Sequence, residues 1–177
     1  MGFKADYNKA QDDYSKPEGI YECIITNVKR SETPNGKRKI CLWLTIRNDV
    51  EQPAKNGLLF LDIWHKTDEK INEDDKAVDG FDFGKLMAIA KAVHLPQDKD
   101  YENLQQLLDD FIKKPIRAEM YIDTYNGKRY EKLKNLQSTQ FPEVRHVFKN
   151  APVTSNDQFA APAAASVGDV SDDDYPF

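Results

Sequence analysis

Aromatic and basic residues alternate with aliphatic ones in two short segments, 39–47 and 58–66. In an extended chain, side chains two or four residues apart point the same way, so each segment groups its rings and cations on one side. The two groups together contain Lys39, Trp43, Arg47, Phe60, Trp64 and Lys66. A flat ring beside cations can stack on another planar ring while the cations neutralise nearby negative charge, and this combination is typical of surfaces that hold single-stranded nucleic acid.

Each tryptophan could instead pack in the core beneath a helix, and for a single tryptophan that alternative would be favoured. Because two successive segments repeat the pattern, we predict that at least one of Trp43 and Trp64 has a binding role.

Two turns between strand-like segments carry further cations and rings. The first turn has Pro34, Asn35 and Gly36 at its tip and is flanked by Lys29, Arg30, Lys37, Arg38 and Lys39. The second has Asn126-Gly127, a strong hairpin signal, and is flanked by Tyr121, Tyr125, Lys128, Arg129, Tyr130 and Lys132. We predict that both turns contribute to nucleic-acid binding. The alternative is that these charges only keep exposed strand edges soluble.

The sequence indicates neither catalysis nor a bound metal or cofactor. It has three histidines, no Ser-His-Asp order, no nucleophile elbow and no phosphate-binding glycine loop. Asp62 and His65 fall on opposite faces of the third strand-like segment, so they are not expected to share an ion. The acidic residues Asp68, Glu69, Glu73, Asp74 and Asp75 are interpreted as a solvated loop, because no glycine-spaced calcium loop accompanies them.

Periodicity predicts the elements that must position these side chains. Strands are expected over 20–28, 39–47 and 58–66, helices over 81–95 and 101–113, and two further strands from residue 115 through 136. Three strands, a helical insertion and a final hairpin match the layout of the OB-fold, a mainly β five-stranded barrel. Another small α+β domain would fit the same outline.

The charge of the chain is segregated. Residues 151–177 hold five of the 30 acidic residues and none of the 25 basic ones, so residues 1–150 are balanced and the net charge of -5 belongs to the tail. The tail is rich in Ala, Pro, Ser and Asp and lacks apolar periodicity. We therefore predict a nucleic-acid-binding domain over 1–150 and a disordered acidic tail over 151–177.

The last six residues are a distinct motif, because an acidic run precedes an apolar ending: Asp172, Asp173, Asp174, Tyr175, Pro176 and Phe177. A tail that only aids solubility does not require the final Tyr-Pro-Phe. A partner pocket with an apolar floor and a basic rim would recognise the motif.

Cellular context follows from absences in the sequence. No apolar run reaches the length of about 20 residues that spans a membrane, and the polar N-terminal stretch does not resemble a secretory signal. Cys23 and Cys41 are expected to be free thiols in a reducing compartment. We expect a cytoplasmic protein without membrane contact.

The body of the chain resembles a family of phage early proteins related to phage single-stranded DNA-binding proteins. The resemblance spans about residues 1–136 and is carried by FKADY, PEGIYECIITN, LWLTIRNDVEQPAKNGLLFLDIW and FDFGKLMAIAKAVHLP. The ending DDDYPF is similar to the Asp-Asp-Asp-Ile-Pro-Phe tip of bacterial single-stranded DNA-binding proteins, with Tyr175 in place of the usual Ile.

The resemblance implies an OB-fold that binds single-stranded DNA without sequence dependence during phage DNA replication and recombination in the cytoplasm of a bacterial host. It also implies that the tip recruits host replication, recombination and repair proteins. Two other classes stay open: an RNA-binding or strand-annealing protein, and an adaptor that binds protein alone. Exposed strand edges make a homodimer conceivable.

Overall fold

A computed structural model describes residues 2–7 and 16–149. The acidic tail, including the predicted tip Asp172–Phe177, lies outside the described residues. The described elements, in chain order, are strands β1 (Gly19–Glu32), β2 (Arg38–Ile46) and β3 (Leu58–Trp64), a 3₁₀ turn (Asp68–Lys70), helices α1 (Glu73–Ala77), α2 (Phe83–Ala92) and α3 (Leu104–Phe111), and strands β4 (Pro115–Tyr125) and β5 (Lys128–Gln137).

The five strands form one antiparallel sheet in the order β3-β2-β1-β4-β5. The two edge strands, β3 and β5, contact each other, so the sheet curls toward a barrel. A long first strand that pairs with both the second and fourth, with helices between the third and fourth, gives an OB-type fold. The predicted mainly β fold class and the position of its helical insertion are confirmed.

Strict alternation on β2 separates the core from the outer face. Ile40, Leu42, Leu44 and Ile46 are fully buried, whereas the residues between them are partly exposed. On β3, Leu59 and Ile63 are buried in the same way. The apolar sides of α2 and α3 add Leu86, Ile89, Leu107 and Phe111 to this core. Burial of these side chains is the main driving force for the fold.

The segment after β3 differs from the expectation of a solvated loop. Residues 73–77 form the short helix α1, whose first turn is closed by a reciprocal capping box between Asn72 and Asp75. Asp75 is buried, and its carboxylate accepts hydrogen bonds from Lys66 Nζ (2.8 Å) and the backbone N–H of Phe83 (3.0 Å). This acidic residue is structural, because it ties the end of β3 to α1 and α2.

An irregular segment after β5, residues 138–149, is termed the strap. Arg47 binds it: Nη1 donates to the Thr139 hydroxyl (3.2 Å) and the Phe141 carbonyl (2.7 Å), and Nη2 donates to the Glu143 carbonyl (3.1 Å). The remaining donors of Arg47 pair with Asp49, through Nε (2.9 Å) and Nη2 (2.6 Å). The Arg47 guanidinium holds the pKa of Asp49 at about 2. The strap is thus fastened to the loop that follows β2.

Further contacts fasten both ends of the strap. Near its start, Glu22 on β1 accepts hydrogen bonds from the Thr139 hydroxyl and the backbone N–H of Gln140. Near its end, the Asn48 side chain pairs with both backbone groups of Val147, at 2.8 and 3.0 Å. The chain therefore leaves the described structure beside the β2–β3 loop.

Candidate nucleic-acid interface

Strand register places three rows of side chains across the outer face of β1, β2 and β3. From one end of the face to the other, the rows are Asn27–Trp43–Phe60, Lys29–Cys41–Asp62 and Ser31–Lys39–Trp64. We call these nine residues the stacking face. The rows exist because strands in antiparallel register bring residues of the same face side by side. Asn27, the β1 member of the first row, is itself buried.

The first row presents an aromatic pair. The rings of Trp43 and Phe60 meet edge to face, with centroids 5.7 Å apart and planes at 85°. Phe60 is 50 % exposed, and Trp43 is partly exposed. Neither ring is buried beneath a helix, so both have surface available to a ligand. Such a pair also stabilises the sheet beyond simple burial.

The third row presents a separate ring. Trp64 is 42 % exposed and lies four residues beyond Phe60 on β3, about 13 Å along the strand. Lys39 Nζ lies 5.4 Å from the centre of the Trp64 ring and donates to Asp62 Oδ2 at 3.0 Å. The face therefore offers two stacking positions separated by the row that contains Asp62.

Cations lie over the rings of both aromatic rows. Lys29 Nζ lies 4.7 Å from the centre of the Trp43 ring. The corresponding distance from Lys39 Nζ to the centre of the Trp64 ring is 5.4 Å. Lys29 is exposed and stands on β1, whereas the rings project from β2 and β3. The two ammonium groups thus lie in different parts of the face: that of Lys29 lies over the Trp43 ring, and that of Lys39 lies beside Asp62 and Trp64 of β3.

Alternation divides the basic residues of the first turn between two faces of the hairpin. Lys29 and Lys39 belong to the stacking face, whereas Arg30 and Arg38 are one residue out of phase. Arg30 pairs with Asp79 (3.3 Å), and Arg38 donates to His65 Nε2 (2.8 Å), beside a cleft of about 630 Å³. Lys37 lies exposed at the turn itself. The sequence predicted a binding role for all five cations of this turn. In the structure only Lys29 and Lys39 lie beside the aromatic rings of the stacking face.

The second basic hairpin forms a cluster of its own. On β4 and β5, the cross-strand pairs Tyr121–Lys132, Asp123–Tyr130 and Tyr125–Lys128 share the outer face. Arg129 falls on the opposite side and donates to the Lys16 carbonyl (3.3 Å). Because β1 pairs antiparallel with both β2 and β4, this hairpin extends beyond the start of β1, while the first turn lies beyond its end. The two basic turns therefore lie at opposite ends of β1.

Two predicted contact residues have structural roles instead. Arg47 is fully buried and all five of its N–H groups are used within the protein, so its assignment to the binding face is wrong. Strand β2 ends at Ile46, and the alternation that grouped Arg47 with Trp43 ends there too. Lys66 lies two residues beyond β3, paired with the buried Asp75.

Sequence reasoning left four residues of the stacking face without a binding role: Asn27, Ser31, Cys41 and Asp62. The last two follow from the same alternation that selects Trp43 and Trp64, since each lies two residues from a tryptophan on its strand. Burial and the neighbouring Asp62 carboxylate raise the pKa of the Cys41 thiol to about 11. No disulfide joins Cys41 to Cys23, which is fully buried.

Within residues 2–7 and 16–149, no group of three or more His, Cys, Asp or Glu side chains is arranged to hold a metal ion. Over the same residues, every helix is too short or too polar to cross a membrane. A cavity of about 810 Å³ lies between α2 and α3, lined mainly by apolar side chains that include Phe83, Met87 and Leu107.

Comparison with known proteins identifies a family. No curated protein sequence matches the chain significantly. A family model described as a protein of unknown function, DUF669, matches residues 3–145, a span that contains all the strands and helices of the described residues and most of the strap. The chain therefore belongs to the DUF669 family.

Proposed function

We propose that this protein binds single-stranded DNA through the stacking face, with little dependence on sequence. The observation that carries the proposal is the exposure of Trp43, Phe60 and Trp64 on adjacent strands with Lys29 and Lys39 over the two tryptophan rings. Base stacking on aromatic side chains tolerates any sequence, because every base has a flat face. The lysines then neutralise phosphates beside the stacked bases.

The positions of the cations indicate the mode of binding. Phosphates lie near the ammonium groups of Lys29 and Lys39, one beside each tryptophan, while bases lie over the rings on β2 and β3. The β4–β5 hairpin, with Tyr125, Tyr130, Lys128 and Lys132 on one side, contacts DNA that extends beyond the face. This assignment gives the protein a binding role and no catalytic one.

The cellular role of the proposal rests on the sequence resemblance. We propose that the protein covers single-stranded DNA during phage replication and recombination in the cytoplasm of a bacterial host. In the same proposal, the tip Asp172–Phe177 recruits host replication and repair proteins.

The direct test is titration of tryptophan fluorescence with oligo-dT at several salt concentrations. Both tryptophans of the chain lie on the stacking face, so bound bases should quench their fluorescence. Affinity should fall steeply with salt as phosphate contacts release counterions.

A pair of matched variants locates the site. Phe60→Ala removes a ring from the stacking face, and we expect it to weaken binding by about 1–3 kcal/mol. Phe141→Ala removes a ring of similar exposure, 47 % against 50 %, from the strap, and should leave affinity unchanged. Equal effects of the two substitutions would contradict the proposed site.

The same titrations separate the rival functions. Matched DNA and RNA oligomers of equal affinity would favour a general nucleic-acid or annealing protein, since a stacking surface accepts both sugars. Absence of quenching and of retained DNA at low salt would contradict DNA binding and favour an adaptor that binds protein.

A further inference from the structure

Arg38 is held in place by a neutral histidine. It is the first residue of β2 and is exposed, and its Nη2 donates to Nε2 of His65 at 2.8 Å. Because a guanidinium can only donate hydrogen bonds, Nε2 of His65 is the acceptor in this contact and carries no proton. The proton of the ring is then on Nδ1, which donates to the Lys66 carbonyl at 2.7 Å.

The His65 ring is itself fixed, so it orients Arg38 before any ligand binds. The rings of His65 and Phe81 meet edge to face, with centroids 5.3 Å apart, and the Gly80 backbone lies against the same ring. The backbone N–H of His65 also donates to the Arg38 carbonyl at 3.0 Å. A binding group that is ordered in advance loses less conformational freedom when its ligand arrives.

The contact with His65 orients the Arg38 guanidinium without neutralising its charge. Four other arginines pair with a carboxylate instead: Arg30, Arg47, Arg117 and Arg145. Within residues 2–7 and 16–149, no carboxylate forms an ion pair with Arg38, and His65 is the one hydrogen-bond partner of its side chain. The remaining N–H donors of the guanidinium are available to a ligand, and an anion is the ligand that they bind most strongly.

The cleft beside Arg38 adjoins the third row of the stacking face. Ser31 and Lys39, two members of that row, also line the cleft. The third member, Trp64, directly precedes His65 in the chain. A DNA strand with a base on the Trp64 ring and a phosphate beside Lys39 can therefore continue into the cleft, where its next phosphate meets Arg38.

Arg38 is the unpaired cation of this cleft. The other two cations of the lining pair with carboxylates: Arg30 with Asp79 at 3.3 Å and Lys39 with Asp62 at 3.0 Å. The remaining charged residue of the lining is Glu32, the cross-strand neighbour of Arg38. Because such neighbours lie close together, the Glu32 carboxylate opposes a phosphate at Arg38 and limits its affinity.

We propose that Arg38 binds a phosphate of the strand beyond the base at Trp64, and that His65 is the positioning residue that directs its guanidinium into the cleft. The inference rests on the proposed function and adds an anionic subsite to it. A guanidinium carries its donors in a rigid planar fork, so it can hold His65 with one N–H and a phosphate with others.

The first experiment measures the affinity of Arg38→Gln for oligo-dT by fluorescence titration at several salt concentrations. Loss of one phosphate contact should lower affinity about tenfold at low salt and reduce the slope of log K against log salt by about 0.7. Arg145→Gln is the matched control, because it removes the same charge from an exposed arginine of the strap. This control should leave both quantities unchanged.

The second experiment separates orientation from charge. Arg38→Lys keeps the charge, so its salt slope should stay close to that of the wild type. An ammonium has no fixed fork that could hold His65 and a phosphate together, so affinity should remain about threefold below the wild type.

The third experiment removes the opposing carboxylate. Glu32→Gln should tighten binding of oligo-dT about twofold at low salt, because a negative charge beside the phosphate is lost. Misfolding of the variant would not produce such a gain. Glu143→Gln removes the same charge from the strap and should leave affinity unchanged.

The outcomes distinguish this inference from the function on which it rests. An unchanged salt slope in Arg38→Gln, or equal losses in Arg38→Gln and Arg145→Gln, overturns the phosphate contact and leaves DNA binding standing. Full wild-type affinity of Arg38→Lys overturns the positioning role of His65. Unchanged affinity of Glu32→Gln overturns the placement of the phosphate in the cleft. Failure of the wild type to bind oligo-dT overturns the proposed function itself.

Discussion

Arg47 shows how a single residue can be essential to the fold while lying directly after a strand that carries the stacking face. Its five N–H groups make five hydrogen bonds, two to the Asp49 carboxylate and three to the strap. A buried guanidinium is costly to desolvate, and complete pairing of this kind compensates for the cost. The residue thus fixes the strap against the loop after β2.

We expect Arg47→Met to reduce the free energy of unfolding by about 3 kcal/mol, because Asp49 loses its partner inside the protein. DNA affinity should be unchanged, since Arg47 does not reach the face. Urea unfolding measures the first effect and fluorescence titration the second. Arg145→Met, which removes an exposed arginine, is the control and should change stability by less than about 0.5 kcal/mol.

The same variant should alter the acid sensitivity of the fold. The folded-state pKa of Asp49, about 2, lies below its ordinary value of 3.8, so its ionised form stabilises the protein above about pH 4. That stability is lost as the pH falls from about 4 toward 2. Without Arg47 this part of the pH dependence should largely vanish, and its persistence in urea unfolding would contradict the pairing.

For individual residues, the alternation of side chains along the strands predicts much of the site from sequence. It correctly places Trp43, Phe60 and Trp64 on an outer face, because one face of each strand is filled by aliphatic side chains. It fails at Arg47 and Lys66, which lie beyond the ends of β2 and β3. Three of the five hydrogen bonds of Arg47 go to the strap, more than 90 residues away, and Lys66 pairs with Asp75 of a helix that was not expected. These partners could not be read from the alternation of the strands.

Among the secondary-structure elements, the connection from β3 to α2 depends on a close approach. Gly80 has a φ of +87°, and its backbone lies against the His65 ring at the end of β3. A Cβ on Gly80 would come within 2.2 Å of His65 Nε2. Gly36, in the first turn, has a similar φ of +83° with open space around it.

Alanine substitutions at these two glycines distinguish the cost of a steric clash from the cost of backbone strain. Gly36→Ala should cost about 1 kcal/mol, since alanine disfavours a positive φ. Gly80→Ala should cost about 3 kcal/mol, because the His65 ring must also move. Thermal or urea unfolding of both variants measures the difference, and equal losses would contradict the tight packing of His65 against Gly80.

Helix α1 was missed from the sequence because it is five residues long and carries no apolar period. Its signal is local: Asn72 and Asp75 have the spacing of a capping box. The longer helices α2 and α3 were found because their apolar residues recur on one face. The Asn126-Gly127 turn was equally predictable, and both residues have the positive φ that such a turn needs.

For the whole molecule, the strap determines where the remaining chain begins. The pairing of Val147 with Asn48 places residue 149 near the β2–β3 loop, at the end of the face that carries Trp43 and Phe60. The segment 151–177, with five acidic and no basic residues, follows this point in the chain. The sequence alone showed that acidic residues are concentrated after residue 150. Where the chain reaches that segment became known only from the contacts of Asn48 with Val147.

We expect truncation after Asn150 to tighten DNA binding at low salt, on the order of tenfold, because acidic residues near the face compete with phosphates for its lysines. The effect should fade at high salt. Replacement of Asp172, Asp173 and Asp174 by Asn should reproduce part of it at full length. Unchanged affinity in both variants, measured by fluorescence titration, would exclude competition by the tail.

The raised pKa of Cys41 has a chemical consequence for the stacking face. At neutral pH very little of this thiol is ionised, and the thiolate is the form that reacts with oxidants and disulfides. A partly exposed cysteine in the middle of the face is thereby kept inert, in part by the carboxylate of Asp62. We therefore expect Cys41 to react more slowly with oxidants than an ordinary exposed cysteine would.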